Sequence, residues 1–540
     1  MEAEDNMGIG KSDVVRRMLV RFWVSCFVAF LFLRLSISPY WAENNRFFYH
    51  WGWRDACAIH LLIISVACLI LFLYEVLGFL GQWGRRVRDM AFVAVTLFYT
   101  KVAFLETVYP DGVIPSVLSV ISKYAVVVLC VVALFRLQKV RNAVRAMCLI
   151  GSPILIIFSV QLVTSKCFQG SHESVAADVK SLVGDREQIP AGTANVFIFL
   201  FDGWSYSRSF ESRQVKAVLP GLQRVAEQSC VFSRAYSPSS QTIHSLPSLL
   251  YGDVQRSTIV DGEINLNGSR LVGRASEMQS MFDQARQRNL SPSLIGFYVP
   301  YSSVFSESLD SCLAVTPYKY MGSSVMEVAS SLMFVHIRKR LSFIHPSILS
   351  YCRMKANRGL IEMDSWQYEQ TIKHVRDAQG TFAFFHFRMP HPPLLYGAGG
   401  EVMDPLDREP DVSVESYENA LQYVEGVISG ILDALSSRDD YNDTLFVLLA
   451  DHSFREDPMY ESADVAKEEV CHIPLLIHLP GQVTREDIST VFCTADLNDL
   501  LMRAIDEEIS VEQVKKMCEG FAGRKLATNI GGERVVIGGQ

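Results

Sequence analysis

Asn195-Val-Phe-Ile-Phe-Leu-Phe-Asp202 is a short apolar run that ends abruptly in a carboxylate. Two later runs have the same form: Thr381-Phe-Ala-Phe-Phe leads to His386, and Thr444-Leu-Phe-Val-Leu-Leu-Ala leads to Asp451-His452. Such runs, rich in β-branched and aromatic residues, are typical of strands in a sheet covered on both faces. Because ligands bind outside the carboxyl ends of strands in open α/β sheets, the three run ends predict a divalent-metal site with phosphate contacts.

From residue 195 onward, strand-like runs alternate with helix-like stretches. This alternation predicts an α/β domain with a mostly parallel central sheet flanked by helices. The predicted strands are Asn195–Phe201, Leu294–Val299, Phe382–Phe387, Thr444–Ala450 and Ile473–Leu479. The predicted helices are Gln214–Glu227, Tyr368–Ala378 and Ser416–Ser436.

The first 165 residues are dominated by long apolar stretches and predict a transmembrane domain. A helical span needs roughly 20 mostly apolar residues. Five stretches come close to this length: Phe22–Ser38, Ala56–Leu80, Ala91–Val108, Val117–Phe135 and Met147–Thr164.

Basic residues predict the orientation, because Lys and Arg concentrate on the cytoplasmic side of membrane proteins. They cluster in three places: before the first span, between spans two and three, and between spans four and five. The loop from Tyr109 to Ser116, between spans three and four, has none. We therefore expect a multi-pass protein of the cytoplasmic (inner) membrane with its N-terminus inside. Residues 166–194 would be a linker, and residues 195–540 a catalytic domain on the periplasmic or extracellular side.

Charge distribution argues against a nucleic-acid partner. The first 166 residues contain 17 Lys and Arg against 10 Asp and Glu, and the remainder contains 33 against 48. Neutralising a phosphate backbone requires Lys and Arg, which this acidic domain lacks in excess.

Hydroxyl groups for catalysis are concentrated in Ser237-Pro-Ser-Ser-Gln-Thr-Ile-His-Ser-Leu-Pro-Ser-Leu-Leu-Tyr-Gly252, where a loop is predicted to enter a helix. A helix N-terminus favours anions, and a metal-bound hydroxyl is more acidic than a free one. Thr242 is the candidate nucleophile, with Ser239, Ser240 and Ser245 as competitors for that role or for a helix cap.

The order of these motifs resembles the sulfatase branch of the alkaline phosphatase superfamily. It consists of Asn-Val-apolar-Asp202, Thr242-x-x-Ser-x-Pro-Ser-Leu-Leu-x-Gly, His386-x-x-x-x-His391-x-Pro and Asp451-His452. Together with five spans, the order is similar to lipid A phosphoethanolamine transferases and lipoteichoic-acid synthases.

The resemblance implies a role for each matching residue. Asp202, Asp451 and His452 match metal ligands, and Thr242 matches the nucleophile, which also binds the metal. His391 matches the histidine that contacts the transferred phosphate, and His386 is expected to assist it.

The chain departs from that family pattern in two ways. Sulfatases mature a Cys or Ser to formylglycine before Pro and Arg, whereas Thr242-Ile-His-Ser-Leu has neither the oxidisable residue nor the Arg, which disfavours sulfate-ester hydrolysis. The Gly and His residues that often follow the Asp-His pair are replaced by Ser453, Glu456, Asp457 and Glu461.

The resemblance implies a metal-dependent phosphotransferase with Zn²⁺ or Mn²⁺ as cofactor. It would move phosphoethanolamine or phosphoglycerol from a membrane phospholipid donor to an envelope glycan or lipid acceptor, through a phospho-threonine intermediate. A membrane-anchored phosphodiesterase or sulfatase and a non-catalytic lipid-binding regulator are the alternatives.

Several polar residues have both structural and functional interpretations. His386 could be a satisfied buried histidine, and His472 precedes a strand and favours a structural role. Arg388 could contact phosphate or be an exposed loop residue. Lys101, Glu106 and Lys123, within spans three and four, could receive a lipid headgroup or reach the membrane interface.

Overall fold

The computed structural model describes residues 11–37, 53–108, 138–167, 195–253, 256–260, 263–268, 270–299, 301–305, 307–315, 346–397, 399–403, 412–461, 467–507, 509–522, 526–530 and 533–537. Contacts divide these residues into two compact units. The first contains the helices within residues 11–167, and the second contains the described residues from 195 to 315 and from 350 onward.

The first unit is helical. Its elements are α1 (Lys11–Ile37), α2 (Trp53–Phe79), α3 (Gly81–Val108), α4 (described from 138 to 151) and α5 (Pro153–Cys167). A buried apolar cluster centred on α1 and α2 forms its core, with residues such as Phe30, Ile59 and Ala67.

Two segments of this unit, Ala56–Phe79 and Gln138–Val160, are long and apolar enough to cross a membrane, judged by length and composition. The prediction of five spans is therefore wrong for the described residues. Charge at the start of α1 and α3, such as Arg17 and Arg86, shortens the apolar part of both helices. The predicted span Val117–Phe135 lies outside the described residues.

The membrane-embedded charges and the linker stay untested predictions. Lys123 and residues 168–194 lie outside the described residues, as do the side chains of Lys101 and Glu106 in α3.

The second unit is built on an eight-stranded sheet with the order β4-β3-β5-β1-β6-β7-β2-β8. Seven strands run in one direction, and β7 is antiparallel to its neighbours β6 and β2. The mostly parallel sheet is thus confirmed. The strands are β1 (Val196–Phe201), β2 (Cys230–Phe232), β3 (Ser291–Phe297), β4 (Ser311–Val315), β5 (Thr381–Phe387), β6 (Leu445–Ala450), β7 (Leu475–His478) and β8 (Glu486–Ile488).

Helices surround this sheet, as the alternating pattern predicts. They are α6 (Tyr206–Ser209), α7 (Pro220–Ala226), α8 (Thr242–Tyr251), α9 (Met281–Gln287), α10 (Tyr301–Val304), α11 (Pro346–Asp377), α12 (Val414–Ser436), α13 (Leu497–Asp506) and α14 (Val511–Ala522). Short strands also pair outside the sheet: Phe210–Glu211 with Gln214–Val215, Ala235–Tyr236 with Phe492–Cys493, Leu526–Ile530 with Glu533–Ile537, and Glu263–Asn267 with both Thr258–Val260 and Val272–Arg274.

The centre of the sheet is aromatic and fully buried. All six residues of β1 are buried, and Phe199 stacks on Phe385 of β5 with ring centroids 4.9 Å apart. At the opposite end from the site, the Asn195 side chain accepts a hydrogen bond from Thr381 N (3.1 Å) and donates one to Asp440 (2.7 Å). This single amide fixes the starts of neighbouring strands.

One predicted element boundary is wrong. The predicted helix at Gln214–Glu227 begins only at Pro220, which occupies the first helical turn, where a missing N–H costs nothing. His386 lies inside β5, within the predicted strand Phe382–Phe387, and these six residues pair with β1.

Candidate active site

Two carboxylates meet at the carboxyl edge of the sheet. β5, β1 and β6 are adjacent and parallel, so the residues after β1 and β6 emerge side by side. Asp202 follows β1 and Asp451 follows β6, and both are at least 95% buried. Backbone amides of Gly203 (3.0 Å) and His452 (2.8 Å) donate to Oδ1 of Asp451, which fixes that carboxylate.

The start of helix α8 brings a hydroxyl to these carboxylates. Thr242 is the first residue of α8, and its Oγ1 donates to Asp451 Oδ2 at 2.6 Å and lies 3.4 Å from His452 Nε2. The positive end of the helix dipole therefore lies at the same point as the hydroxyl. The structure thus brings Thr242 together with Asp202, Asp451 and His452.

The competing serines make other contacts. Ser239 Oγ accepts from Gln241 N (3.2 Å), and Ser245 Oγ points back to the carbonyl of Thr242 (3.5 Å). The hydroxyl of Thr242, by contrast, donates to the Asp451 carboxylate, which favours Thr242 as the reactive hydroxyl.

His452 presents Nε2 to this cluster. Its Nδ1 donates to the Ser453 carbonyl (2.7 Å), since a carbonyl oxygen can only accept. Nε2 lies 3.3 Å from Asp202 Oδ1 and 3.4 Å from Asp451 Oδ2. A metal ion at this nitrogen would be stabilised by both carboxylates.

His391 has the same arrangement. Its Nδ1 donates to the Pro392 carbonyl (2.7 Å), and its Nε2 accepts from Arg455 Nη2 (2.9 Å). Ligand atoms of His391, Asp202 and His452 all lie within 4.8 Å of one another. The sequence interpretation did not include His391 among the metal ligands, because its approach depends on the loop after β5.

Electrostatics also favours a cation here. Burial, followed by the charge of Asp451, raises the pKa of Asp202 well above its usual value. Burial would also raise the pKa of Asp451, but His452 and the hydrogen bonds from Thr242 and Gly203 bring it below its usual value. Oδ1 of Asp202 is buried and accepts no hydrogen bond within the part of the chain that the structure describes.

These residues fit a divalent metal. Two carboxylates, a hydroxyl and the Nε2 atoms of two imidazoles are an oxygen and nitrogen donor set that suits Zn²⁺ or Mn²⁺. Backbone carbonyls on both Nδ1 atoms fix the ring orientations, as is usual around metal-bound histidines. The arrangement can therefore hold a metal beside a hydroxyl nucleophile.

His386 lies behind the cluster. It is fully buried, its Nδ1 contacts the Tyr301 hydroxyl (2.7 Å), and its Nε2 has no hydrogen-bond partner among the described residues. Burial lowers the pKa of His386 to about 4, so the ring is neutral. No sequence motif pointed to Tyr301, which lies in the short helix α10.

The loop between Arg388 and Tyr396 is held by a buried ion pair. Arg388 and Asp364 are each 2% exposed in their side chains, and the Arg388 Nε donates to Asp364 Oδ1 at 3.1 Å. Nη1 of Arg388 donates to the carbonyls of His391 (2.9 Å) and Pro393 (3.2 Å). The interpretation of Arg388 as an exposed loop residue is therefore wrong.

His472 lies in an aromatic stack outside the cluster. Its ring packs between Tyr206 and Tyr236, with centroids 4.2 and 5.0 Å away. Its nitrogens contact Glu469 (3.0 Å) and the Ser233 carbonyl (3.1 Å), which gives it a structural role.

Tyr417 is a further residue that the sequence did not single out as functional. Its hydroxyl donates to the Gly203 carbonyl (2.8 Å) and accepts from Ser205 N (2.9 Å). It thereby holds the chain that leaves Asp202.

Comparison with known proteins assigns this chain to a family. The sequence model of the sulfatase family matches residues 194–506, more than half of the chain. No curated protein matches.

Solved structures show distant likeness. The phosphonate monoester hydrolase of Agrobacterium radiobacter is 14% identical, over 58% of this chain and 74% of that one, with a TM-score of 0.39. A 2-O GAG sulfatase is 14% identical, over 62% and 75%, with a TM-score of 0.39. A protein in the alkaline phosphatase superfamily from Vibrio parahaemolyticus is 14% identical, over 58% and 66%, with a TM-score of 0.37.

The family match covers all the strands that carry the candidate residues, from the one before Asp202 to the one before Asp451. The hydroxyl, the paired carboxylates and the histidines described above lie within it. On the strength of that match, the chain belongs to the sulfatase family.

Proposed function

We propose that the protein transfers a phosphate-bearing headgroup, phosphoethanolamine or phosphoglycerol, from a membrane phospholipid to an envelope glycan or lipid acceptor. The observation that carries this proposal is the hydrogen bond of 2.6 Å from Thr242 Oγ1 to Asp451 Oδ2. It gives a nucleophile and its proton acceptor in one contact, at the N-terminus of a helix, where an anion is favoured.

The choice of phosphate chemistry follows from the nucleophile. A threonine hydroxyl cannot be oxidised to an aldehyde, which disfavours a sulfatase mechanism that needs formylglycine. The same hydroxyl can form a phosphate ester that a second alcohol then attacks. Phosphoryl transfer between two alcohols is nearly balanced in energy, so it suits a nucleophile that must be regenerated.

A metal would be held by Asp202, Asp451, His452, Thr242 and His391, and when bound it would act as a Lewis acid that makes the hydroxyl more acidic and neutralises phosphoryl oxygens. Zn²⁺ and Mn²⁺ both suit this donor set.

The chain's own residues account for the proton and bond changes. Oγ1 of Thr242 attacks phosphorus, its proton passes to Asp451 Oδ2, and the bond from phosphorus to the diacylglycerol oxygen breaks. Diacylglycerol leaves with a proton from solvent. An acceptor hydroxyl then attacks phosphorus and releases its proton to solvent, and the Thr242 oxygen recovers its own proton from Asp451.

A membrane location fits this chemistry. Two segments of the first unit are apolar enough to span a bilayer, and the proposed donor is a membrane lipid. We propose a multi-pass protein of the cytoplasmic membrane whose catalytic domain, residues 195–540, lies on the outer side, where an envelope acceptor is available.

Lipid turnover by the purified full chain tests the proposal. Fluorescent phosphatidylethanolamine and phosphatidylglycerol are supplied separately in detergent, and diacylglycerol release is measured for wild type, Thr242→Ala and Ser245→Ala. Ser245 is the matched control, because it is a buried hydroxyl of the same helix that contacts no carboxylate.

We expect release from one lipid, lost in Thr242→Ala and kept in Ser245→Ala. Without an acceptor, release should stop near one equivalent of diacylglycerol per protein, and release that continues with water as the sole acceptor would identify a hydrolase instead. Turnover of 4-nitrophenyl sulfate without turnover of either lipid would contradict the proposal in favour of a sulfatase.

A further inference from the structure

Arg455 lies at the exposed mouth of the metal cluster, four residues after Asp451. Its side chain is exposed, yet Nη2 donates to His391 Nε2 at 2.9 Å. The guanidinium is thus hydrogen-bonded to the nitrogen that His391 would offer to a metal. Its charge also acts on Asp202, which places it within electrostatic reach of the centre.

The loop that carries Arg455 is anchored on both sides. Phe454, the preceding residue, is buried and stacks on Tyr417 with ring centroids 4.0 Å apart. Asp457, two residues later, has a fully buried carboxylate that receives two hydrogen bonds from Arg208, at 2.7 and 2.8 Å. Arg455 is therefore an exposed side chain on a fixed backbone, which is the usual form of a binding residue.

His391 has no donor left for an anion in its observed form, because Nδ1 donates to the Pro392 carbonyl and Nε2 accepts from Arg455. Nδ1 of His452 is also committed to a backbone carbonyl, and its Nε2 lies against Asp202 and Asp451. Arg388, the other guanidinium that acts on Asp202, is committed to Asp364 and to two backbone carbonyls. Of the two guanidinium groups in the described part of the chain that act on Asp202, Arg455 is thus the one that can still turn to a ligand.

We propose that Arg455 binds the non-bridging oxygens of the phosphate group at this site, moving from His391 Nε2 to the anion when metal and substrate bind. This inference rests on the proposed function, since it assigns the phosphate contact of that reaction. A guanidinium suits the role because its fork of N–H groups matches two oxygens of a tetrahedral oxyanion. The shift also frees His391 Nε2 to bind the metal.

This exchange makes two measurable quantities respond differently to loss of the guanidinium. Anion affinity falls, because a charge-assisted hydrogen bond is lost. Metal affinity does not fall, because a positive charge beside the cluster and a competitor for His391 Nε2 are both removed. A merely structural role of Arg455 would lower both together.

Calorimetric titration of inorganic phosphate into the metal-loaded full chain tests this. The variants are Arg455→Gln, Arg455→Lys and, as a matched control, Arg224→Gln, which removes an exposed guanidinium whose partner is Asp433. Metal content is measured on each sample by mass spectrometry. We expect Arg455→Gln to weaken phosphate binding roughly ten- to a hundredfold, Arg455→Lys to weaken it less, and Arg224→Gln to match wild type.

Metal content should be unchanged in all three variants. In lipid turnover, Arg455→Gln should raise KM more than it lowers kcat. Phosphate affinity of Arg455→Gln within twofold of wild type, loss of its metal, or wild type that binds no phosphate would each overturn the assignment. Failure of the proposed headgroup transfer would show differently, as absent lipid turnover by wild type with phosphate binding that still depends on Arg455.

Discussion

At the scale of single residues, Asp202 has an unfavourable electrostatic environment. Its carboxylate is buried beside a second carboxylate, and Oδ1 receives no hydrogen bond from any described residue. Burial of an unpaired charge is costly, so the site is stable only when a proton or a metal neutralises it. Metal binding and protein stability are therefore coupled at this residue.

Asp202→Asn tests that coupling, because it keeps the shape of the side chain and removes the charge. We expect the purified variant to lose its metal but, in the presence of EDTA, to melt at a higher temperature than EDTA-treated wild type. The pKa of Asp202 is raised in the folded state. Its contribution to stability is therefore lost as pH rises through that value, and the difference between the two proteins should grow from acid to neutral pH.

Metal content and melting temperature at several pH values are the measurements. Retention of stoichiometric metal by Asp202→Asn would remove Asp202 from the ligand set.

Sequence motifs were informative for some of these residues and not for others. Asp202, Asp451 and His452 follow apolar strands, so their meeting follows from the parallel sheet. Arg455 gives no such signal, because an exposed Arg in a polar loop is common. Its role depends on the backbone that the buried Asp457 fixes.

At the scale of elements, the loop after β5 depends on helix α11. Asp364 of α11 pairs with Arg388, which donates to the carbonyl of His391. Tyr396 also donates to Asp364, at 2.8 Å. The helix thereby positions the loop that brings His391 to the cluster.

Asp364→Ala should destabilise the protein by about 3–5 kcal/mol, because it leaves the buried charge of Arg388 without a partner. The double variant Asp364→Leu with Arg388→Met should lose less, since both charges are removed. Chemical denaturation followed by tryptophan fluorescence compares the two. If Asp364→Ala proved as stable as the double variant, or more stable, the ion pair would not be what holds this loop.

A second prediction concerns the contact of α11 with β3. Burial lowers the pKa of His374 to about 4, and its Nε2 lies 2.9 Å from Ser293 Oγ. The unfolded chain would bind a proton near the usual pKa of 6.5, so stability is present above that pH and is lost as pH falls toward 4. The shift corresponds to a loss of about 3 kcal/mol at most.

His374→Gln should remove this step. Melting temperatures between pH 7 and 4.5 should fall less steeply for the variant than for wild type. Parallel curves would mean that His374 titrates normally in the folded protein.

Element boundaries were harder to predict than element types. The strand before Asp202 follows from six consecutive apolar residues, all of which are buried. The stretch from Gln214 to Glu227 has helical periodicity, but Pro220 starts the helix late and Gln214–Val215 forms a strand pair instead. Tertiary pairing overrode the local pattern there.

At the scale of the whole molecule, the chain combines a helical unit with a sulfatase-family unit. Overall hydropathy predicted this division, because the long apolar stretches are confined to the first third of the chain. The number of spans could not be predicted as well, since charges at the start of α1 and α3 leave the apolar stretches of these two helices close to the minimum length.

Fractionation of cells that express the protein with an N-terminal tag tests the proposed topology. The protein should stay in membranes after an alkaline wash and require detergent for release. Protease added to spheroplasts should digest the sulfatase-family unit and leave the tag protected. Digestion of the tag with protection of the sulfatase-family unit would show that the orientation is the opposite of the proposed one.

The central claim is that Thr242 carries the transferred phosphate group. Wild-type protein incubated with phosphatidylethanolamine or phosphatidylglycerol, without acceptor, is quenched in acid and analysed by peptide mass spectrometry. We predict a mass increase equal to the headgroup phosphate on the peptide that contains Thr242, absent from Thr242→Ala and from metal-depleted protein. Diacylglycerol release with no adduct at Thr242, or with the adduct on another residue, would contradict it.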